Sequence, residues 1–521
     1  MTGGADARAT NRAPLALLAV IIVTGAAVRL LFTGARGLRI DEAVSWGIAR
    51  MPWPTFIKVV TTAEANMIAY YVPLRAWLHL GETEFAIRFL SVVFGVLALP
   101  AIYRLGTRLF GRREGVIAAA LLAAHPFHVH FSQDARAYSL VVFLVIVSTD
   151  LFVRALQSPA RARAWTAYAL VAGLSVYAHV FALLVLLSHA MVFLAHRRRH
   201  AAAAIPRGAA LLLAFLIAPM VAFLATQNKG RLGWVPHPTP EHLTRILNDL
   251  AGSDTAAAAV LALAAITSVL LLRPRRAGAP GGDRSARDRG PALLLVLWFA
   301  VPFVVSAAFS AARPILVSRY LLMCVPALVL LLARGATLLA ERARFGRAAA
   351  IVAGALLLGV FAAQMRDDTR KRIADRNEWA PAARHILAGQ REGDAALVYF
   401  WSNRYLIEYY ARRAAERGGA ALTPRFIFPY ADGAAPPARR GEVTREEWER
   451  ISRDAERIWL VAPAKLVRAG LRVPASDDGK LGSIRARLEE GFACEESVVF
   501  EGDISPLVVE LYTREALPPA R

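Results

Sequence analysis

The chain is 521 residues long, 56% of them hydrophobic and only 20% charged, with a mean hydropathy of +0.41. Such a surplus over the whole length excludes a disordered, collagenous or small disulfide-stapled protein and argues against a purely soluble enzyme. The net charge of +22 is no nucleic-acid stripe, because most of the excess is arginine in short loops between apolar blocks, where it reads as a topology signal. Cys324 lies in an apolar run and Cys494 in a polar tail, so no disulfide framework exists. The excess of arginine over lysine, with abundant alanine, points to a GC-rich bacterial genome.

The first apolar block, residues 15–32, follows Arg8 and Arg12 and meets Arg29 and Arg36 rather than small cleavage-site residues. It reads as a retained signal-anchor helix. Further spans are expected over 86–105, 115–131, 138–153, 165–177, 180–195, 209–225, 256–272, 291–310, 317–333 and 348–364, about eleven in all. The loops alternate in basic content. The N-terminus, 104–113, 154–163, 197–207, 273–289 and 334–347 form the richer set, which the positive-inside rule assigns to the cytoplasm. An odd number of spans then places everything after Gln364 outside.

Residues 34–85 thus form a long outer loop, and two apolar-aromatic stretches in it, around 46–57 and 67–80, read as interfacial helices. The loop 227–255 is also outer. Gly230, Gly233, Pro236, Pro238 and Pro240 punctuate it before a short helix over 241–250. Residues 278–290 read as a flexible inner linker, and no internal repeat is visible. The tail 366–521 is polar, with helices expected over 378–387, 405–417 and 481–490 and strands over 395–400, 458–462, 497–500 and 507–512. The expected architecture is a polytopic α-helical membrane domain, residues 1–365, and an extracytoplasmic α/β domain, residues 366–521.

Four polar groups stand at the outer ends of the expected spans. Asp41 and Glu42 form a carboxylate pair just beyond the first span. Burial and a like neighbour raise one pKa of such a pair, which suits a general base. Equally, Asp41 can serve as the N-cap of a helix running to Arg50, with Glu42 favoured by its dipole. The short turn Ser132-Gln133-Asp134-Ala135-Arg136-Ala137-Tyr138 holds a guanidinium near the membrane, able to grip a lipid phosphate bidentately or to pair with Asp134. Arg313 and Ser318-Arg319-Tyr320 begin the tenth span, where Arg319 either snorkels to headgroups or enters a wet cavity. The histidines are His125, His128 and His130, before that turn, and His179, between the fifth and sixth spans. His128 and His130, on an irregular segment after Pro126, are a metal pair with Asp134 or plain interfacial hydrogen-bonding groups. No P-loop, GxGxxG between strand and helix, or GxSxG occurs.

Taken together, the chain resembles the GT-C membrane glycosyltransferases, in the broad family 39-like group of the protein O-mannosyltransferases and the lipid A aminoarabinose transferase. The resemblance rests on ordered stretches, the first being Arg39-Ile40-Asp41-Glu42-Ala43, then Glu64-Ala65-Asn66-Met67-Ile68-Ala69-Tyr70-Tyr71. Next come Glu84-Phe85-Ala86-Ile87-Arg88-Phe89-Leu90-Ser91 and Pro126-Phe127-His128 through Gln133-Asp134-Ala135-Arg136-Ala137-Tyr138-Ser139. Arg319-Tyr320 before Pro326, and Asn377-Glu378-Trp379 with Gly393-Asp394, complete it. Tyr71-Val72-Pro73-Leu74 and Asp134 depart from the Pro-Pro-Leu-Tyr and Gln-Glu-Ala-Arg of many relatives, which leaves substrate choice open.

The resemblance implies an inverting enzyme of the bacterial inner membrane that moves a sugar from a polyprenyl-phosphate donor to a hydroxyl acceptor on the outer face. The sugar would be mannose or another hexose or pentose, and the acceptor a protein, glycan or lipid. It implies that Asp41 is the base, with Glu42 in support. Arg136 and Arg319 are the leading cations for the departing phosphate, with Arg88, Lys229 and Arg313 behind them. Asp134, Tyr138, Tyr320, His128 and His179 are supporting neighbours. No cofactor is required, though some GT-C enzymes use a divalent cation. The expected partners are the donor, the acceptor and the bilayer, with no nucleic acid. Two other readings use the same residues: a transporter or flippase for a lipid-linked sugar, and a non-catalytic scaffold. Charges gathered at span ends rather than mid-span favour surface chemistry over transit.

Overall fold

A computed structural model describes residues 3–199, 205–226, 235, 237–273, 282–342, 346–374, 377–399, 401–419, 421–423, 425–427, 455–464, 475–502 and 506–515. Contacts divide the chain into two units: Met1–Thr33 with Glu64–Thr369, and Gly34–Ala63 with Arg370–Arg521. The segment after the first span therefore groups with the C-terminal residues.

In chain order, α1 (Gly3–Leu30) precedes α2 (Ile40–Arg50) and α3 (Trp53–Thr62), which belong to the second unit. The first unit continues with α4 (Ile68–Trp77), α5 (Glu84–Leu109), α6 (Arg112–Ala124), α7 (Pro126–Ser132), α8 (Tyr138–Gln157), α9 (Ala162–Ala178) and α10 (Ala182–Arg199). Then follow α11 (Arg207–Thr226), α12 (Pro240–Ala251), α13 (Ala257–Leu272), α14 (Gly282–Ala312), α15 (Val325–Arg342) and α16 (Gly346–Ala374). Each expected span coincides with one of these helices or a pair of them, except 317–333, which begins in a 3₁₀ segment, Ser318–Cys324, and continues in α15. Among the described residues six helices are long and apolar enough to cross a membrane, seven if α6 and α7 count as one.

Local chemistry sets the boundaries. Thr83 caps α5 by accepting the Ala86 N–H at 3.1 Å. Thr239 and Pro240 open α12, and Gly252, in the left-handed region at φ +76°, closes it. The expected span 115–131 bends by 62° at His125. Pro126 has no N–H to offer the Leu122 carbonyl, so the helix breaks there. Arg29 of α1 fills the gap, its Nη2 donating to Leu122 O at 3.2 Å and its Nη1 to Ala123 O at 3.0 Å. Elsewhere Arg334 of α15 reaches Glu114 of α6 at 2.9 Å and Asp288 of α14 at 2.7 Å, tying three helices. Arg108 of α5 similarly meets Asp150 of α8 at 2.5 Å. An apolar groove of about 650 Å³, lined by residues such as Trp165, Tyr168, Leu213 and Ile217, separates part of α9 from α11.

The second unit holds a five-stranded sheet in the order β2-β1-β3-β5-β4. Its strands are β1 (Ala395–Val398), β2 (Arg425–Ile427), β3 (Arg457–Pro463), β4 (Phe492–Phe500) and β5 (Leu507–Arg514). β1 runs parallel to β2 and β3, whereas β5 is antiparallel to β3 and β4. The parallel strands need crossovers, and α17 (Trp379–Gly389), α18 (Arg404–Ala415) and α19 (Ala475–Glu489) accompany them. Leu397, Ile458, Leu460, Leu488, Val508 and Tyr512 form its core. The last helix begins earlier than expected, and β4 extends five residues further toward the N-terminus. The expected stretch 46–57 is two helices rather than one. Pro52 forces Met51 into an extended conformation, ψ 149°, and α3 starts behind it.

Candidate active site

Within the first unit the turn between α7 and α8 is clasped on two sides. Gln133 Nε2 donates to carbonyls at the end of α1 and just past it, to Val28 and Arg29 at 3.2 Å and to Leu31 at 3.0 Å. Those carbonyls have no intrahelical donor, so Gln133 acts as a C-cap supplied from another element. From α5, Ser91 Oγ donates to the Arg136 carbonyl at 3.1 Å, lies 2.8 Å from Tyr70 Oη, and its own carbonyl accepts from Ser139 Oγ at 2.8 Å. Arg136 is thereby presented on a fixed backbone with its side chain half-buried. Asp134 is buried and lies 3.8 Å from His130.

His179 ends α9 and is 1% exposed. The Phe181 N–H donates to its Nδ1 at 3.3 Å, so the neutral ring carries its proton on Nε2. That Nε2 is buried without a hydrogen-bond partner among the described residues. Asn66 holds the same corner, its Oδ1 accepting from Val180 N–H at 2.7 Å. The His179 ring stands 4.9 Å from Tyr320 and 5.9 Å from Tyr138, and the charges of Arg136 and Arg319 both act on it. Arg319 and Tyr320 belong to the 3₁₀ segment Ser318–Cys324, with the guanidinium 5.7 Å from the Tyr320 ring centroid. Burial pushes the Asp249 carboxyl of α12 above its ordinary pKa, against the lowering effect of the Ser318 hydroxyl. Two arginines, two tyrosines and a histidine with an unused donor thus meet at three helix breaks. A cluster of cations and donors with a buried vacant N–H suits an anion.

The other expected cations are placed differently. Arg88 is fully buried in α5, and its Nη1 donates to the Thr33 carbonyl at 2.7 Å. Arg313 is half-buried just after α14, and Lys229 lies outside the described residues. His128 is not on an irregular segment: Pro126 occupies the first turn of α7, where its missing N–H costs nothing. The His128 Nδ1 accepts from Arg29 at 2.7 Å, and that guanidinium opposes a cation there. Among the described residues no group of three or more His, Cys, Asp or Glu side chains is disposed to hold a metal ion. The residues around His130 and Asp134 do not fit one.

In the second unit the carboxylate pair separates into two roles. The N-cap of α2 is Arg39, not Asp41. Glu42, 1% exposed, accepts from the Arg39 N–H at 2.9 Å and pairs with Arg36 Nη1 at 3.1 Å. The helix-starting role therefore belongs to Glu42. Asp41 stands half-buried on the first turn, and its carbonyl accepts from Ser45 Oγ at 3.1 Å.

The described residues thus combine apolar helices and an α/β tail with a polar cluster that holds two arginines at the helix breaks. The family described as dolichyl-phosphate-mannose-protein mannosyltransferase matches residues 64–223, a segment that includes Arg88, Arg136 and His179 but neither Asp41 nor Arg319. Among solved structures, ArnT from Cupriavidus metallidurans bound to undecaprenyl phosphate is similar with a TM-score of 0.58 and 15% identity, over 94% of this chain and 97% of that one. The oligosaccharyltransferase AglB from Archaeoglobus fulgidus, in complex with an inhibitory peptide and a dolichol-phosphate, gives 0.55 and 12% over 92% and 72%. No curated protein matches by sequence. The fold is therefore the one shared with ArnT and AglB, and the mannosyltransferase family model matches residues 64–223 within it.

Proposed function

We propose that the protein transfers a sugar from a polyprenyl-phosphate donor to a hydroxyl acceptor, with inversion, on the outer face of a bacterial inner membrane, its C-terminal domain lying outside. The sugar is mannose or another hexose or pentose. The acceptor oxygen attacks the anomeric carbon as the bond to the phosphate oxygen breaks, and the acceptor proton passes to Asp41. The donor phosphodiester carries one negative charge and the released polyprenyl phosphate carries two. Cations aimed at it bind the transition state more tightly than the ground state. Arg136 and Arg319 take that role, with Arg88, Lys229 and Arg313 as secondary cations. His179 Nε2–H, Tyr138 and Tyr320 supply neutral hydrogen bonds, while Asp134 and His128 support the turn.

The observation that carries this reading is His179, with a buried donor left unused and two arginines acting on its ring. A polyprenyl-phosphate donor is further supported by the phosphorylated polyprenols named in the ArnT and AglB structures. The test is transfer by the reconstituted protein from radiolabelled undecaprenyl-phosphate esters of mannose, glucose, galactose, arabinose and aminoarabinose into total membrane acceptors. One donor should be consumed, with an inverted product anomer. Binding of a donor with transfer from none would move the assignment to carriage.

A further inference from the structure

Helix α2 has eight consecutive buried residues, Glu42 to Ala49, so it is enclosed on all sides rather than on one face. Much of the enclosure comes from α18, more than 350 residues later in the chain. Tyr405 and Tyr409, one turn apart on α18, line one side together with the adjacent Tyr410. The Trp46 ring meets Tyr409 edge-on at 5.3 Å, and Tyr409 meets Tyr410 in the same way at 5.0 Å. Gly47 lies against the Tyr405 ring so closely that an added Cβ would sit inside it. Gly37 is pressed equally tightly against Asn377 and the Tyr410 hydroxyl. The Leu38 N–H donates to Tyr410 Oη at 2.8 Å, with both residues buried.

That bond falls where the chain turns into α2, one residue before the Arg39 cap and three before Asp41. A buried backbone N–H must be satisfied, and here Tyr410 satisfies it. We propose that Tyr410 is a positioning residue for the reaction: by fixing the Leu38 amide it sets where α2 begins and so how Asp41 is presented. This gives the C-terminal domain a part in the chemistry, and it rests on the assignment of Asp41 as base.

The test compares wild type, Tyr410→Phe, Asp41→Asn and the double variant as full-length protein in liposomes, using whichever ester of the donor panel wild type consumes. The Tyr410→Phe variant should lower kcat about tenfold, equivalent to about 1.4 kcal/mol, with the donor KM unchanged within twofold. In the Asp41→Asn background the same substitution should have no further effect, because Tyr410 acts through Asp41. Equal losses in both backgrounds, or an unchanged kcat, would overturn the proposal. Gly47→Ala asks the same question by another route, since its Cβ displaces Tyr405. Its kcat should fall and recover when Tyr405→Ala is added, and a failure to recover counts against the proposal. Hydrogen exchange at the amides of residues 38–42 should speed up in Tyr410→Phe, a readout independent of the donor; unchanged exchange contradicts the clamp. Full activity in Asp41→Asn would instead sink the base assignment, which separates the two failures.

Discussion

The turn that carries Arg136 and the helix that carries Asp41 are held in place by different means. The turn is clasped by polar side chains of its own motif and its helical neighbours, with Gln133 on the end of α1 and Ser91 on the Arg136 carbonyl. Helix α2 is held by aromatic rings and one phenol from α18, reached across 372 residues of chain. The contrast teaches where each site is vulnerable. Polar clasps fail through lost hydrogen bonds and stranded carbonyls, whereas an aromatic cradle fails through altered shape.

The largest effect that would sharpen this contrast is on the cations. Arg136→Ala should lower transfer by roughly 10²–10³-fold and weaken inhibition by free polyprenyl phosphate, with Arg136→Lys recovering part of the loss. A loss below threefold in steady-state kinetics would remove Arg136 from the phosphate site. Next comes the α6–α7 bend. Arg29→Met leaves the Leu122 and Ala123 carbonyls without their donor, at about 1.5–3 kcal/mol for each bond to a charged group. Thermal denaturation in detergent should show a melting temperature lower by several degrees, and an unchanged value would mean that Arg29 does not support the α6–α7 bend. The smallest effect is expected from Glu42→Gln, which keeps the cap and loses only the charge pairing with Arg36. Transfer should fall by a factor of about 3–10. A loss equal to that of Asp41→Asn would make Glu42 the base instead.

Much of this was legible in the sequence for a physical reason: apolar blocks and arginine spacing are local signals. The helices at the expected apolar blocks, the helix over Pro240–Ala251 and the alternation of helix and strand in the tail follow from them. Arg136, Tyr138, His179, Arg319 and Tyr320 were readable as single groups at span ends, but their convergence depends on how α8, α9 and the Ser318–Cys324 segment pack. The two breaks at which the structure differs from the expectation both lie at prolines. Pro126 starts a helix instead of an irregular stretch, and Pro52 divides one expected helix into two. Arg29 carried a faint signal, a cation inside an apolar run, with nothing to mark its partners. Tyr410 carried none, because its role exists only once α18 lies against α2.

The most direct test of the central claim is single-turnover transfer by Asp41→Asn in liposomes with the donor saturating. A rate lower by about 10²–10⁴-fold, with donor binding unchanged, is the predicted result. Transfer at the wild-type rate would contradict the assignment of Asp41 as the base and, with it, the chemical role given to α2.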